Sequence, residues 1–207
     1  MSGSSRCLIL AGPTREYIDP VRYISNASSG LQGMALAEEA LDRGYEVEVV
    51  LGPIEYEPPA GASIIKVVSA AEMLRAAKER HADCAVLIGA AAVSDFRPET
   101  SHSTKQKSDS EQLDLKLEAT DDILALLGRE KGPRIHAGFA LETENHLDNA
   151  RKKLEAKKLD WIVVNDAEAI GSEGGDYHLL GADGSEHPLG LLSKRELAAK
   201  LFDRIQA

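Results

Sequence analysis

Four stretches of this 207-residue chain put chemically useful side chains where a ligand could meet them. Residues 12–33 read GPTREYIDPVRYISNASSGLQG, with Arg15, Arg22 and Asn26 ahead of Ser28-Ser29-Gly30 and a helical pattern. A helix start offers unpaired N–H groups and a positive dipole end, so Ser28, Ser29 and Gly30 are candidates for holding an anion. Residues 89–97 read GAAAVSDFR. Gly89, Ala90 and Ala91 are small enough for a planar ring or sugar to approach the backbone, and Asp95 can accept from hydroxyls or hold a metal. Lys105-Gln106-Lys107 is a lysine pair in a polar loop, able to close over phosphates. Lys153 and Lys157 stand four residues apart on one helix face, where like charges repel slightly and an anion between them would relieve them. Each stretch also has an ordinary reading: a capped helix with solvated arginines, close sheet–helix packing, a solvated loop, a polar helix face.

Other chemistries lack their residues. The six histidines (81, 102, 136, 146, 178, 187) show no paired metal-ligand spacing, and Cys7 and Cys84 lie far apart, which argues against a zinc site. No G-x-S-x-G elbow and no Cys/His arrangement supplies an enzyme nucleophile. The glycines Gly30-x-x-Gly33 follow an eighteen-residue polar stretch, so the tight G-x-G-x-x-G dinucleotide turn, and with it a generic NAD(P)-binding module, is disfavoured.

The elements that must carry these residues alternate. Apolar runs predict strands at 7–11, 46–51, 64–68, 83–92, 134–141 and 160–165, and an alternating one at 113–117. A hairpin is expected around 177–181 and the turn at 182–184. Helical spacing covers 30–43, capped by Ser28 or Ser29 and ended by Gly44; 70–80; 120–129, capped by Thr120 or Asp121; and 144–157. A last helix spans 193–206, where Ser193 and Glu196 form a capping box. Residues 12–29 and 94–112 read as irregular, and loops of that length are usually functional.

With aromatics at only 4%, the core must be Ala, Val, Leu and Ile, which favours α/β over an aromatic-rich sandwich. Strand–helix alternation predicts a doubly wound, mostly parallel sheet with a small strand and loop insertion, in one domain over residues 1–207. Ligands of such sheets bind beyond the carboxyl ends of the strands. That points to the segments after residues 11 and 91, to 138–143, and to Asn165-Asp166. The longest apolar run, 84–93, is ten residues, half a membrane span, and no signal-peptide pattern opens the chain. Two cysteines in apolar strands read as buried thiols of a reducing compartment, implying a cytoplasmic protein. With 24 Lys+Arg against 34 Asp+Glu, the charge of −10 argues against sequence-independent nucleic-acid binding.

Taken in order, AGPTREYIDPVRYISNASSG (11–30), AAAVSDFRPET (90–100), the Lys105-x-Lys107 loop, GFALET (138–143), DWIVVND (160–166) and PLGLLSKRELAAKLFDRI (188–205) resemble the phosphopantothenate–cysteine ligases, also called phosphopantothenoylcysteine synthetases. The resemblance implies a Rossmann-like fold with a flexible loop at about 98–112 and a homodimer; the charge and the short apolar runs imply no nucleic-acid or membrane partner. It implies a two-step ligation of 4′-phosphopantothenate and L-cysteine that uses CTP and Mg²⁺, the metal being held mainly by nucleotide phosphates and not by protein groups. The carboxylate of phosphopantothenate attacks the α-phosphate of CTP to give an acyl-cytidylate and pyrophosphate. Cysteine's amine then displaces CMP. By the same resemblance, Gly89, Ala90, Ala91, Asp95, Asp121, Asp122, Ile123, Leu124, Phe139, Lys153 and Lys157 contact the nucleotide, and Lys105 lies over the phosphates. Arg22 and Asn26 engage the acyl-phosphate region, and Ser28, Ser29 and Gly30 hold substrate phosphate.

The sequence departs from the family pattern at three places. Leu31-Gln32 replace the Lys-Met pair that commonly follows Ser-Ser-Gly. Lys105-Gln106-Lys107-Ser108 replaces Lys-Ile-Lys-Lys, and Thr120-Asp121-Asp122-Ile123 replaces Asn-Pro-Asp-Ile. An ATP-preferring member and a catalytically impaired nucleotide-binding paralogue are the alternatives. Nothing in the sequence matches the flavin-binding decarboxylase half of bifunctional members, so a stand-alone ligase and an excised domain are both open.

Overall fold

A computed structural model describes residues 6–106, 113–141, 145–165 and 174–206. In chain order the elements are β1 (Arg6–Ala11), β2 (Arg15–Tyr17), β3 (Tyr23–Ser25), α1 (Leu31–Asp42), β4 (Glu46–Leu51), β5 (Ser63–Lys66), α2 (Ala70–His81), β6 (Val86–Gly89), β7 (Phe96–Pro98) and β8 (Leu117–Ala119). There follow α3 (Ile123–Arg129), β9 (Ile135–Leu141), α4 (His146–Ala156), β10 (Trp161–Asn165), β11 (Gly174–Gly181), β12 (Glu186–Ser193) and α5 (Lys194–Ile205).

Eight of these strands form one sheet in the order β12-β11-β10-β9-β6-β1-β4-β5. The six from β10 to β5 are parallel, and β11 and β12 extend the sheet antiparallel. From β1 the chain first builds outward through β4 and β5, then returns to lay β6, β9 and β10 on the other side. The strand order therefore reverses between β1 and β6, and a crevice opens beyond their carboxyl ends. This is the doubly wound, mostly parallel sheet expected, with the β2–β3 and β7–β8 hairpins as the insertions.

β1 is buried on both faces, and its side chains alternate between two cores. Cys7, Ile9 and Ala11 face a cluster containing Leu36, Ala37 and Ala40 of α1 and Leu197, Leu201 and Phe202 of α5. Leu8 and Leu10 face Met73 and Ala77 of α2 and Ile123 and Leu127 of α3. Each buried Leu or Phe contributes about 1.5–3 kcal/mol, so every helix is held chiefly by its apolar stripe. Gly33 lets α1 lie directly on β1, since a Cβ there would run into that of Ala11. At its other end α1 is riveted to α5 by Arg43, which pairs with Asp203 at 2.6 Å and donates to the Ala199 carbonyl at 3.1 Å and the Gln206 side chain at 2.8 Å.

Several expectations need correction. Residues 12–29 are not simply a loop. They contain the β2–β3 hairpin, and Thr14, Glu16, Ile18 and Asp19 are buried. The strand expected at 83–92 is confined to Val86–Gly89, because beyond Gly89 the chain leaves the sheet to line the crevice. The one expected at 113–117 pairs only at Leu117–Ala119, against β7. The helix placed at 144–157 is described from His146. The capping box at Ser193 and Glu196 is present as expected, and Cys7 and Cys84 are free and buried.

Candidate active site

The segments that follow β1 and β6 run side by side past the sheet. Ala92 N–H donates to the Gly12 carbonyl at 3.0 Å, Thr14 N–H to that of Ala92 at 3.3 Å, and Ser94 N–H to Thr14 Oγ1 at 2.9 Å. Asn26, at the end of the hairpin, donates through Nδ2 to the Val93 carbonyl at 2.9 Å and so hangs over the same segment. Thr120 binds back, its Oγ1 donating to the Ser94 carbonyl at 2.5 Å and its N–H to that of Asp95 at 2.9 Å. These bonds fix the small residues Gly89–Ala92 and the Asp95 backbone between the starts of α1 and α3.

Between them lies a cleft of about 650 Å³. One side is contributed by Asn26 and Ser28 to Gln32, the centre by Gly89 to Asp95, and the other side by Asp121 to Leu124, Phe139, Lys153 and Lys157. Among the residues that the resemblance assigns, all but Arg22 and Lys105 are thus brought together in one wall. The α1 start differs from expectation. Its N-cap is Gly30, in the left-handed region at φ 77°, and no side chain caps it. Ser28 Oγ accepts from Gly30 N–H at 3.3 Å and Ser29 Oγ from Leu31 N–H at 3.4 Å, and no acidic residue sits in the first turn. The α3 cap is Asp122, not Thr120 or Asp121. Its Oδ1 accepts from Ala125 N–H at 3.0 Å while Oδ2 pairs with Lys157 Nζ at 3.0 Å. The anion that the Lys153/Lys157 spacing called for is, for Lys157, Asp122.

Arg22 and Lys105 lie outside the wall. Arg22 clasps the buried Asp19 carboxylate through Nε at 3.0 Å and Nη2 at 2.6 Å. Nη2 also donates to the Gln106 carbonyl at 2.9 Å, while Gln106 N–H donates to Asp19 at 3.2 Å. The guanidinium first, and the N–H groups of Val21, Arg22 and Gln106 with it, hold the Asp19 carboxyl well below the usual carboxylate range. The residue after Lys105 is therefore pinned to the hairpin by both its N–H and its carbonyl. Lys107, Thr143 and Asp166 lie outside the described residues.

Tyr177 and Lys194 are wall residues that the sequence reading missed, while Leu141 and Asn165 fall in segments it had marked. Tyr177 sits beside a register shift in the β11–β12 ladder, which strand periodicity does not reveal. Lys194 carried one legible sign, a cation at the positive end of α5.

Among the described residues no cysteine or histidine lines the cleft. The two thiols are core groups, and burial pushes that of Cys84 up to about 11. His81 and His136 face each other at the amino-terminal side of β6 and β9, Nε2 to Nε2 at 2.9 Å. Among the described residues no group of three or more His, Cys, Asp or Glu is placed to hold a metal, and no helix is long and apolar enough to cross a membrane. The arrangement suits a ligand with a flat ring against the small strand-end residues and anionic groups toward a helix start and lysines, with the reacting nucleophile brought by a substrate.

Such a sheet with such a crevice defines a Rossmann-like α/β domain, and one without the glycine fingerprint. The chain belongs to the family described as the DNA/pantothenate metabolism flavoprotein C-terminal domain, whose model matches residues 2–207. It is 41% identical over 205 residues to the coenzyme A biosynthesis bifunctional protein CoaBC of Bacillus subtilis, covering 97% of this chain and 50% of that protein. The chain thus spans about half the length of the curated relatives it matches. The crystal structure of the C-terminal domain of a CoaBC protein superposes with a TM-score of 0.85 at 39% identity, covering 99% of this chain and 95% of that one. A Cab2 mutant in complex with phosphopantothenate-cysteine shares the fold at a TM-score of 0.79 and 16% identity, over 96% of this chain and 85% of its own.

Proposed function

We propose that this chain is a phosphopantothenate–cysteine ligase acting in coenzyme A biosynthesis. The observation that carries the reading is the cleft at the β1/β6 reversal, which joins small strand-end residues, an uncapped helix start and lysines with no histidine or cysteine among the described wall residues. Membership of a family whose relatives are named for coenzyme A biosynthesis supports it.

In the first step a carboxylate oxygen of 4′-phosphopantothenate forms a bond to the α-phosphorus of CTP as the bond to pyrophosphate breaks. In the second, cysteine's amine bonds to the acyl carbon, CMP leaves with the electron pair, and the amine proton passes to solvent. The protein's contribution is to position and to stabilise charge. Gly89, Ala90 and Ala91 let the cytidine ring approach the backbone, and Phe139 and Leu124 pack beside it. The α1 start faces the phosphate, with Ser28 and Ser29 beside it, their hydroxyls accepting from Gly30 and Leu31 N–H. The Asn26 amide, aimed across the cleft by Val93, donates toward the acyl group. Lys105 lies outside the cleft wall beside the pinned Gln106, and its place over the phosphates rests on the family resemblance. The cleft carboxylates fit Mg²⁺, which binds through one or two carboxylates while keeping substrate phosphates and waters. Asp95 and Asp121 are exposed to the cleft, whereas Asp122 is engaged by α3 and Lys157. When bound, the metal neutralises phosphate charge.

The test is pyrophosphate release with CTP or ATP, plus and minus 4′-phosphopantothenate. Release with CTP that requires phosphopantothenate and proceeds without cysteine is expected. Faster turnover with ATP would overturn the nucleotide assignment, and no release with either nucleotide would overturn the ligase.

A further inference from the structure

We infer that the hydroxyl of Tyr177 is a ligand-binding group. It donates a hydrogen bond to an uncharged oxygen, a hydroxyl or a carbonyl, of a substrate lying in the cleft, at the end of the wall away from the α1 start.

Only 2% of Tyr177 is exposed, and its ring lies in the apolar cluster with Val163, Leu179 and Leu201. A phenylalanine would fill that place as well, so the hydroxyl is the feature to explain. A buried tyrosine hydroxyl normally finds a partner, because a bare one forfeits its hydration. This one bonds to no described residue. It is also not among the unpartnered atoms sealed from solvent, and the residue borders the cleft. The one polar atom of the side chain therefore opens on the cleft. Its place follows from the sheet. Leu141 of β9 pairs with Asn165 of β10, and Asn165 with Tyr177 of β11, so the three stand in one row on one face, and all three line the cleft. Toward β12, Tyr177 pairs with Gly190 and His178 with Pro188, which leaves Leu189 unopposed, and Gly190 takes φ 70° at this bulge. A bulge bends the ladder and re-aims the side chain beside it. The α1 start lies against Gly12, at the end of β1. Four strand steps separate β11 from β1, about 19 Å at about 4.8 Å each. A phosphate held at the α1 start is out of reach of Tyr177. Helix α4, which carries Lys153, packs through Ala150 and Leu154 on the opposite face of β9 and β10. What remains for Tyr177 is an uncharged part of a ligand. Burial raises the phenol and keeps it neutral, so it offers one donor to one acceptor atom.

The open hydroxyl stands without the ligase reading. That reading enters only in naming the two sources of the oxygen: the ribose hydroxyls and ring carbonyl of CTP, and the hydroxyl and amide carbonyl of phosphopantothenate. The experiment compares the intact wild type with Tyr177→Phe, which removes the oxygen and keeps the ring. Affinities for CTP and for phosphopantothenate are measured by calorimetry, KM values by pyrophosphate release, and stability by thermal unfolding. The hydroxyl has no partner to lose in the free protein, so Tyr177→Phe should melt at or above the wild-type temperature. Binding of one substrate should weaken about three- to tenfold, the range of one net hydrogen bond, with its KM rising in step. A loss confined to CTP assigns the oxygen to the nucleoside, and one confined to phosphopantothenate assigns it to the pantoyl part. A variant that matches the wild type for both ligands, or that loses only thermal stability, would overturn the proposal and leave an active wild type as a ligase. Weaker binding in the variant of a protein whose wild type never releases pyrophosphate would uphold Tyr177 and remove the ligase reading. A wild type that binds neither ligand would overturn both.

Discussion

Asn26 illustrates how a residue too far along a polar stretch to be placed by pattern is fixed by one bond. Its Nδ2 donation to the Val93 carbonyl ties the hairpin to the strand end and leaves the rest of the amide facing the cleft. If that amide donates to the acyl oxygen as charge develops there, removing it should cost the affected step about 2.7–4 kcal/mol. Asn26→Ala is expected to let acyl-cytidylate accumulate in the presence of cysteine, measured by quenched-flow product analysis. Equal loss of both half-reactions would count against a role in the second. At this scale the sequence was informative where residue type limits chemistry. Small residues at a strand end, a Ser-Ser-Gly helix start and paired lysines all fall in one wall. It was uninformative about Tyr177 and gave for Lys194 no more than a cation at a helix start, since their places depend on how β11 and α5 pack.

Elements meet at buried polar joints as well as apolar faces, and the joint of α2 with β9 is the most sensitive to acid. His81 ends α2, His136 lies in β9, and their Nε2 atoms are 2.9 Å apart, so one must donate and the other accept. Burial first, then the charges of His81 and Lys131, push His136 from the usual 6.5 down to about 4; burial likewise lowers His81. Between those values the unfolded chain takes up a proton that the folded protein refuses, so stability rises with pH across the window. The contribution is complete above about 6.5 and lost as pH falls toward 4, with an expected magnitude on the order of 1–3 kcal/mol. Urea unfolding at pH 7 and pH 5 should show this loss, and His136→Gln should flatten it; an unchanged difference in the variant would refute the assignment. Elements with strong local signatures were legible, among them the β1 apolar run and the Ser193–Glu196 box. The β2–β3 hairpin was not, because its buried Glu16 and Asp19 look like solvent-facing residues until Ala70 N–H, Arg22 and Gln106 are seen to satisfy them.

The whole molecule leaves large apolar side chains exposed on two touching hairpins: Tyr17, Val21 and Tyr23 on the first, Phe96 and Leu117 on the second. Exposed apolar side chains on adjoining hairpins suit an association surface, and with the family resemblance we propose that this face joins two copies of the chain. Sedimentation at micromolar protein should show two chains per particle, and Val21→Glu with Leu117→Glu should shift it toward one; a wild type that sediments as a single chain would refute it. The doubly wound, mostly parallel sheet and its crevice followed from strand–helix alternation and a general rule of such sheets, whereas of the exposed hairpins only the stretch at 113–117, overlapping β8 at Leu117, carried a strand pattern. The cleft also has a history within each molecule. Its wall draws on residues from Leu10 to Lys194, so it closes only when segments far apart in sequence have packed together. Such non-local contacts form late in folding, after the locally stabilised helices. During synthesis the first strand and helix can be complete while one wall of the cleft is still missing. A ligand that recognises only the assembled cleft adds its binding free energy to the folded state alone.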